Sequence, residues 1–452
     1  MNVILVIQSL EHKIIFTTVS NMELNFYEMH FEATEQPKLE GNTDACSFSL
    51  LCMTSNGHAF CSLNDKVYHI LWNHGDDDLE RRLCFTPGKD GRLHKDEIIL
   101  LDALHTDAGT IVAVVYYHDH HGGQYTLSVF QVDLNTLKLK AKQEENLHKK
   151  PNLVRLSRDL YSSHISVFAT YYSDPCVQVF QYTYSGFISK VEDIKVKEHY
   201  PGLFKCMFRA VPDKRTLSRE DHHSMGPEKR AIQEYILCID VLLEGDMQYL
   251  AYGTVDGNIH VQVSSSHHGV AWQAMYDWEG PISAIRIFKV KGYVCLVGAC
   301  MVEQVILITD INHTNKLHNR IVLPESNLFD SVTCLSIMDI DYDGDSEILV
   351  GTYGRMFLVY KLHLSEGNLV PYIVYRRHYN SPIYGICHSD ITDDGIHEII
   401  VLTFNGIHVL QRCLRSAQQY IQKLIDSSGS TQIKCPFQSE HFSDNYASTP
   451  EY

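Results

Sequence analysis

The strongest chemical pattern in the chain is Asp339-Ile-Asp341-Tyr-Asp343-Gly344-Asp345-Ser-Glu347. Carboxylates stand at alternate positions around a glycine. Calcium takes about six to eight oxygens from a tightly curved loop. Alternate Asp side chains can turn inward on such a loop, and glycine permits the bend. Asp339, Asp341, Asp343, Asp345 and Glu347 therefore form a candidate structural calcium loop. The other reading is an Asp/Gly turn whose carboxylates cap backbone amides and need no metal. One repeat later stands Asp390-Ile-Thr392-Asp-Asp394-Gly395-Ile-His-Glu398, with Thr in place of the middle acid, so weaker affinity is expected there. In either loop an ion would pin a hairpin; it would not be a catalyst.

Other chemistry is hard to find. The chain has no G-x-x-x-x-G-K-[ST], G-x-G-x-x-G, G-x-S-x-G or H-E-x-x-H string. Its 26 histidines gather in turn-like clusters such as His118-Asp-His-His121, His222-His223 and His267-His268. Adjacent His residues on a loop tip do not converge on a tetrahedral metal. The expectation is a protein that is not an enzyme and requires no cofactor.

The elements that must position the acidic loop repeat along the chain. Gly280-Pro-Ile-Ser-Ala-Ile-Arg-Ile-Phe288, Asp330-Ser-Val-Thr-Cys-Leu-Ser-Ile-Met338 and Ser381-Pro-Ile-Tyr-Gly-Ile-Cys-His388 are spaced by about 50 residues. Each is followed by a turn and a second apolar run, and the last two continue into a third, Met356–Lys361 and Ile407–Gln411. Weaker copies lie upstream, among them Leu250-Ala-Tyr-Gly-Thr-Val-Asp-Gly-Asn-Ile-His-Val261 with an Asp-Gly hairpin turn. The markers start near residues 58, 111, 165, 249, 294, 347 and 398. Residues 46–411, less a loop insert at 211–231, divide into seven units of about 49 residues. A repeat of this length built from short strands predicts an all-β fold, a seven-bladed β-propeller.

Composition bounds the class. The chain has 452 residues, 44% hydrophobic and 10% aromatic, which is globular and not disordered composition. The formal net charge of −17, from 55 acids against 38 Lys and Arg, opposes binding to nucleic acid or to anionic lipid. No apolar run approaches the length of a transmembrane segment, and no basic region precedes the short apolar start, so neither a membrane span nor a secretory signal is expected. The 13 cysteines are odd in number, include no C-x-x-C pair, and several sit in apolar runs. Buried, reduced thiols in a cytoplasmic protein are the expectation.

Three segments fall outside the repeat. Residues 1–45 form an N-terminal segment with two readings, a closing strand that completes the last blade or an extra hairpin. Residues 412–426 carry apolar side chains at helical spacing and predict an amphipathic helix. Its Leu414, Ala417, Ile421 and Leu424 either cap the propeller or dock a partner. Residues 427–452 read as a disordered tail.

The acidic loop resembles the calcium loops of integrin-type FG-GAP propellers, with Glu347 in place of the final Asp. Three longer stretches resemble the kaptin family: Leu323–Cys334 running on to Gly354, Glu279–Ile285, and Ser381-Pro-Ile through Asn405–Gln411. The resemblance is strong over the last third of the repeat region and faint before residue 235. It implies a non-enzymatic scaffold subunit of a KICSTOR-like complex. Its partners would be other subunits of that complex, including a second FG-GAP-type propeller, and, indirectly, a GATOR-type GAP complex. Such a complex holds the GAP complex at the lysosomal membrane and restrains TOR signalling when nutrients are limiting. The same resemblance carries an alternative, an actin-filament-associated protein of lamellipodia and stereocilia. Lys138, Lys140, Lys142, Lys149, Lys150, Arg155 and Arg158 are the one basic cluster that could face F-actin, and Glu144 and Glu145 dilute it.

Overall fold

The computed structural model describes residues 51–412 together with strand residues 9–10, 13–14 and 26–33. Not described within that range are segment 208–234 and the short stretches 55–57, 64–65, 74–77, 87–96, 119–122, 135, 137, 174, 313–316, 318 and 393–395. The expected loop insert at 211–231, the helix at 412–426 apart from Arg412, which ends a strand, and the tail at 427–452 lie outside the described residues.

Seven four-stranded antiparallel sheets make a β-propeller. Their first strands are Leu51–Met53, Glu97–Thr106, Pro151–Arg158, Ile236–Glu244, Ile282–Val290, Val332–Met338 and Ile383–Ser389, which number blades 1 to 7. The first strands of neighbouring blades pack on one another, including blade 7 on blade 1, so they line the axis and the ring closes. Blades 1 to 6 each take four consecutive strands from the chain. In blade 7 the fourth strand is Phe26–Ala33, which pairs antiparallel with Gly406–Arg412. A further two-residue hairpin pairs Ser9–Leu10 with Lys13–Ile14.

The seven sequence markers each fall on, or one residue before, the second strand of a blade. The physical reason is burial on both faces. Ile165–Tyr171 and Glu347–Thr352 are buried at every position, because a neighbouring blade covers each side. Such strands read as continuous apolar runs. The outermost strand has solvent along its rim. In Gly269–Asp277 half-buried and exposed residues alternate, a weaker signal.

The core is partitioned by the ring. Seven apolar clusters fill the seven seams between neighbouring blades, one cluster to a seam. Bulges near the start of the first strands add a polar fastening. The bulge residue donates to the first carbonyl of the next blade: Asn152 Nδ2 to Ile236 O at 2.8 Å, Ser283 Oγ to Val332 O at 2.7 Å, Thr333 Oγ1 to Ile383 O at 2.5 Å. A bulge supplies this contact because the extra residue leaves the ladder and re-aims its side chain. In blade 4 the bulge residue is Leu237, and Cys238 Sγ approaches Ile282 O at 3.3 Å in its place.

Two short helices, Asp193–His199 and Pro201–Met207, interrupt the strand pattern between blades 3 and 4. Val196, Tyr200 and Leu203 fill the seam there, and Gln262 Nε2 donates to His199 O at 2.7 Å. The spacing 196, 200, 203 is helical but covers only two turns. It lies among charged residues, so the sequence reading missed it.

Candidate functional site

Three features could do chemistry or bind: the axial channel, the acidic loop of blade 6, and the end of the wheel where the channel opens.

The channel has a volume of about 1390 Å³ and is lined by the first strands of all seven blades. Three of its charged groups are committed to one another. Arg155 of blade 3 bridges Asp102 of blade 2 at 3.3 Å and Asp240 of blade 4 at 2.7 Å. The second oxygen of Asp102 accepts the Leu156 amide at 2.6 Å, and that of Asp240 accepts the Ile287 amide at 2.8 Å. Four blades are thus tied through one guanidinium and two carboxylates. Burial pushes the Asp102 carboxyl up, and Arg155 opposes it. Burial disfavours charge on Arg155, but Asp102 and Asp240 outweigh it and hold the guanidinium above its ordinary range. Arg286 also faces the channel, where burial and then the Arg155 charge push its guanidinium down. Carboxylates already holding an arginine and an amide are poorly placed to act as general acid or base.

The acidic loop links the first two strands of blade 6. Asp339 accepts two loop amides, Asp343 N at 3.1 Å and Gly344 N at 2.9 Å. Asp343 Oδ1 accepts the Asp345 amide at 3.0 Å. Buried Glu347 reaches back to the Ile340 amide at 2.7 Å. Asp345 pairs with Lys291 of blade 5. At the centre stands Lys361 of the third strand, its ammonium 2.5 Å from Asp341, 2.6 Å from Asp343 and 3.3 Å from Glu347. Burial opposes charging of Lys361, but its bonds to Asp341 and Asp343 outweigh this and hold it above the ordinary lysine range. Burial, then the nearby Asp341 charge, pushes Glu347 up to about 8. The structure therefore gathers Asp341, Asp343 and Glu347 around a lysine the sequence reading did not connect to them, and turns Asp345 to Lys291. The signal was available: Glu347 begins the second strand and Lys361 lies opposite it, one step beyond the pairing of Ile348 with Tyr360. Among the described residues, Asp339, Asp341 and Glu347 are the one group of three or more such side chains with ligand atoms within 4.8 Å of one another.

The third feature is an end of the propeller. In an up-and-down blade the turn between the second and third strands lies at the same end as the connection into the next blade. At that end Tyr172, Met301, Val302, Leu328, Tyr353 and Phe404 are exposed, Val302 by 70% and Leu328 by 65%. The channel opens among them, with Tyr172, Met301 and Tyr353 on its lining. Exposed aromatic and aliphatic side chains at one end of a wheel make that end a candidate docking surface. Among the described residues, the turns at the opposite end expose Tyr184, Phe187 and Leu364.

Other expected sites resolve differently. Leu414, Ala417, Ile421 and Leu424 lie outside the described residues. Lys149, Lys150 and Arg155 of the basic cluster all line the channel. Lys140 pairs with Asp133 and Lys142 with Glu144. The nine described cysteines form no disulfide with one another, and all but Cys334 are buried. No helix among the described residues is long and apolar enough to cross a membrane.

Residues 290–422 match the family model of the KICSTOR complex protein kaptin. The chain is also 33% identical to the KICSTOR complex protein kaptin of Mus musculus over 216 residues, 44% of this chain and 49% of that protein. The chain is similar to kaptin. It spans about half the length of this curated relative. Sqt1 from Chaetomium thermophilum, of known structure, covers 80% of the chain at a TM-score of 0.48 and 11% identity, with 82% of Sqt1 covered, a likeness that bears on neither fold nor function.

The kaptin match covers the acidic loop and Lys361. It also covers Met301, Val302, Leu328, Tyr353 and Phe404, five of the six apolar residues at the channel end. The Asp102–Arg155–Asp240 bridge lies outside it.

Proposed function

We propose that the chain is a non-enzymatic interaction subunit of a KICSTOR-like complex. The exposed apolar end of blades 5 to 7 carries this reading, because it falls within the kaptin-like residues and surrounds no uncommitted acid–base pair. The partner is a second propeller of FG-GAP type. Through the assembled complex the chain holds a GATOR-type GAP complex at the lysosomal membrane and restrains TOR signalling when amino acids are scarce. The chain itself is cytoplasmic and reaches the membrane through partners. A ring with seven separate seams suits a scaffold, since it presents its loops on a frame of repeated blades.

The test is affinity purification of the full chain from amino-acid-starved cells with quantitative mass spectrometry. The intact chain should recover a second propeller subunit. Tyr353→Ser with Phe404→Ser should lower that recovery at least tenfold, since aromatic anchors dominate interfaces, while thermal unfolding stays unchanged. Equal recovery by the two forms would remove the reading. The alternative is F-actin binding through the basic cluster, in which Lys140 and Lys142 already pair with acids. Co-sedimentation with filaments at low salt should give no binding above background.

A further inference from the structure

The acidic loop and its FG-GAP-like spacing call for calcium, yet the groups around it do not fit the ion. Both oxygens of Asp339 are taken up by loop amides, and one oxygen of Glu347 by the Ile340 amide. One oxygen each of Asp341, Asp343 and Glu347 faces the ammonium of Lys361, while the other Asp341 oxygen is buried with no hydrogen-bond partner. An ammonium and a calcium ion cannot share that centre. We infer that Lys361 is the resident cation of this loop and takes the place a calcium ion would hold.

Blade 7 supports this independently. Its Glu398 stands where Glu347 stands, at the start of the second strand, and likewise accepts the amide seven residues before it, Ile391 N at 3.0 Å. Opposite Glu398 lies Gln411 of the third strand, the position Lys361 holds in blade 6. Gln411 Nε2 donates to Glu398 at 3.3 Å, and Thr392 Oγ1 donates to the same oxygen at 3.0 Å. Both blades thus close the loop with a buried glutamate and a side-chain donor from the third strand. Where blade 6 has Asp341 the donor is a charged lysine; where blade 7 has Thr392 it is a neutral glutamine. The charge of the donor follows the charge of the loop, as expected if protein groups supply the balance.

The geometry also explains how the loop is held across the seam. Lys291 of blade 5 pairs with Asp345, and its amide reaches the same carboxylate. Two lysines from two different elements therefore anchor one hairpin without a diffusible ion.

Calcium titration of the full chain tests the inference, with thermal unfolding and terbium luminescence as readouts. The wild-type midpoint should be the same in EDTA and in excess calcium chloride, with no saturable terbium signal that calcium displaces. Lys361→Met keeps the aliphatic stem and removes the charge. It should unfold at a lower temperature in EDTA and recover part of the loss in calcium. Calcium that stabilised the wild type, with the effect abolished by Asp341→Asn, would overturn the inference. So would a Lys361→Met chain as stable in EDTA as the wild type, or one that calcium did not stabilise. Should Lys361→Met fail to fold, the wild-type titration decides alone.

Discussion

Replacing Asp240 by alanine is expected to destabilise the wheel by about 3–5 kcal/mol, because one carboxylate serves two neighbouring blades. Asp240 accepts Arg155 Nη2 of blade 3 at 2.7 Å and the Ile287 amide of blade 5 at 2.8 Å. Losing the first removes a charge-assisted bond, about 1.5–3 kcal/mol. Losing the second orphans a buried backbone donor, about 1–3 kcal/mol. Arg155 keeps Asp102 as a partner and 29% of its side chain reaches channel water, so its charge is not stranded and the loss stays within about 3–5 kcal/mol. For 452 residues the unfolding entropy is about 0.9 kcal/mol/K, at ~2.1 cal/mol/K per residue, so the midpoint should fall by about 3–5 °C. Circular dichroism melting at one scan rate, with urea unfolding as a second measure, reads this directly. Asp240→Asn keeps one acceptor oxygen and should fall between alanine and wild type. An alanine variant within 1 °C of wild type would show that the bridge does not fasten the blades, and the account of the channel charges would have to be abandoned.

Three further outcomes follow from the packing. Gly351→Ala would set a Cβ 2.6 Å from Cys334 Sγ and 2.8 Å from Ile383 Cγ2, in the seam of blades 6 and 7, and should cost about 1–3 kcal/mol in urea unfolding. Removing residues 1–33 deletes the fourth strand of blade 7 and bares Gly406–Arg412 as an open edge; lower melting and concentration-dependent aggregation by light scattering are expected. His69 and His388 are each pushed down to about 3, by burial and then by a neighbouring histidine. A depressed folded pKa gives stability that is complete above the ordinary value of 6.5 and is lost as pH falls below it. By pH 5 each histidine should remove about 2 kcal/mol, and His69→Gln should flatten that loss in a pH series of urea midpoints.

The repeat was legible because the second strand of each blade is covered on both faces. Runs such as Ile165–Tyr171 must be apolar throughout, and so they announce themselves at a fixed period. The outer strands were not, since their burial alternates and their lengths vary from Arg320–Val322 to Asn368–His378. The helices at 193–207 were hidden for a similar reason. They are too short to carry an independent pattern and are held by the seam they fill. The acidic loop was legible as a cluster of carboxylates, but its cation was not. Asp341 and Lys361 are far apart in the chain, and only the pairing of the second and third strands of blade 6 puts them in contact.

Sequence alone determined the module and its number, because a blade must bury both faces and each copy repeats the same apolar rhythm. It also determined which loop would concentrate negative charge. The tertiary fold decided the rest: that Phe26–Ala33 completes a blade begun by residues 383–412, that Arg155 joins three blades across the axis, and that a lysine stands among the aspartates. Local periodicity reports burial, which is a property of neighbours along the strand. Charge pairing across a seam depends on which blades the closed ring places side by side, and no local pattern encodes that.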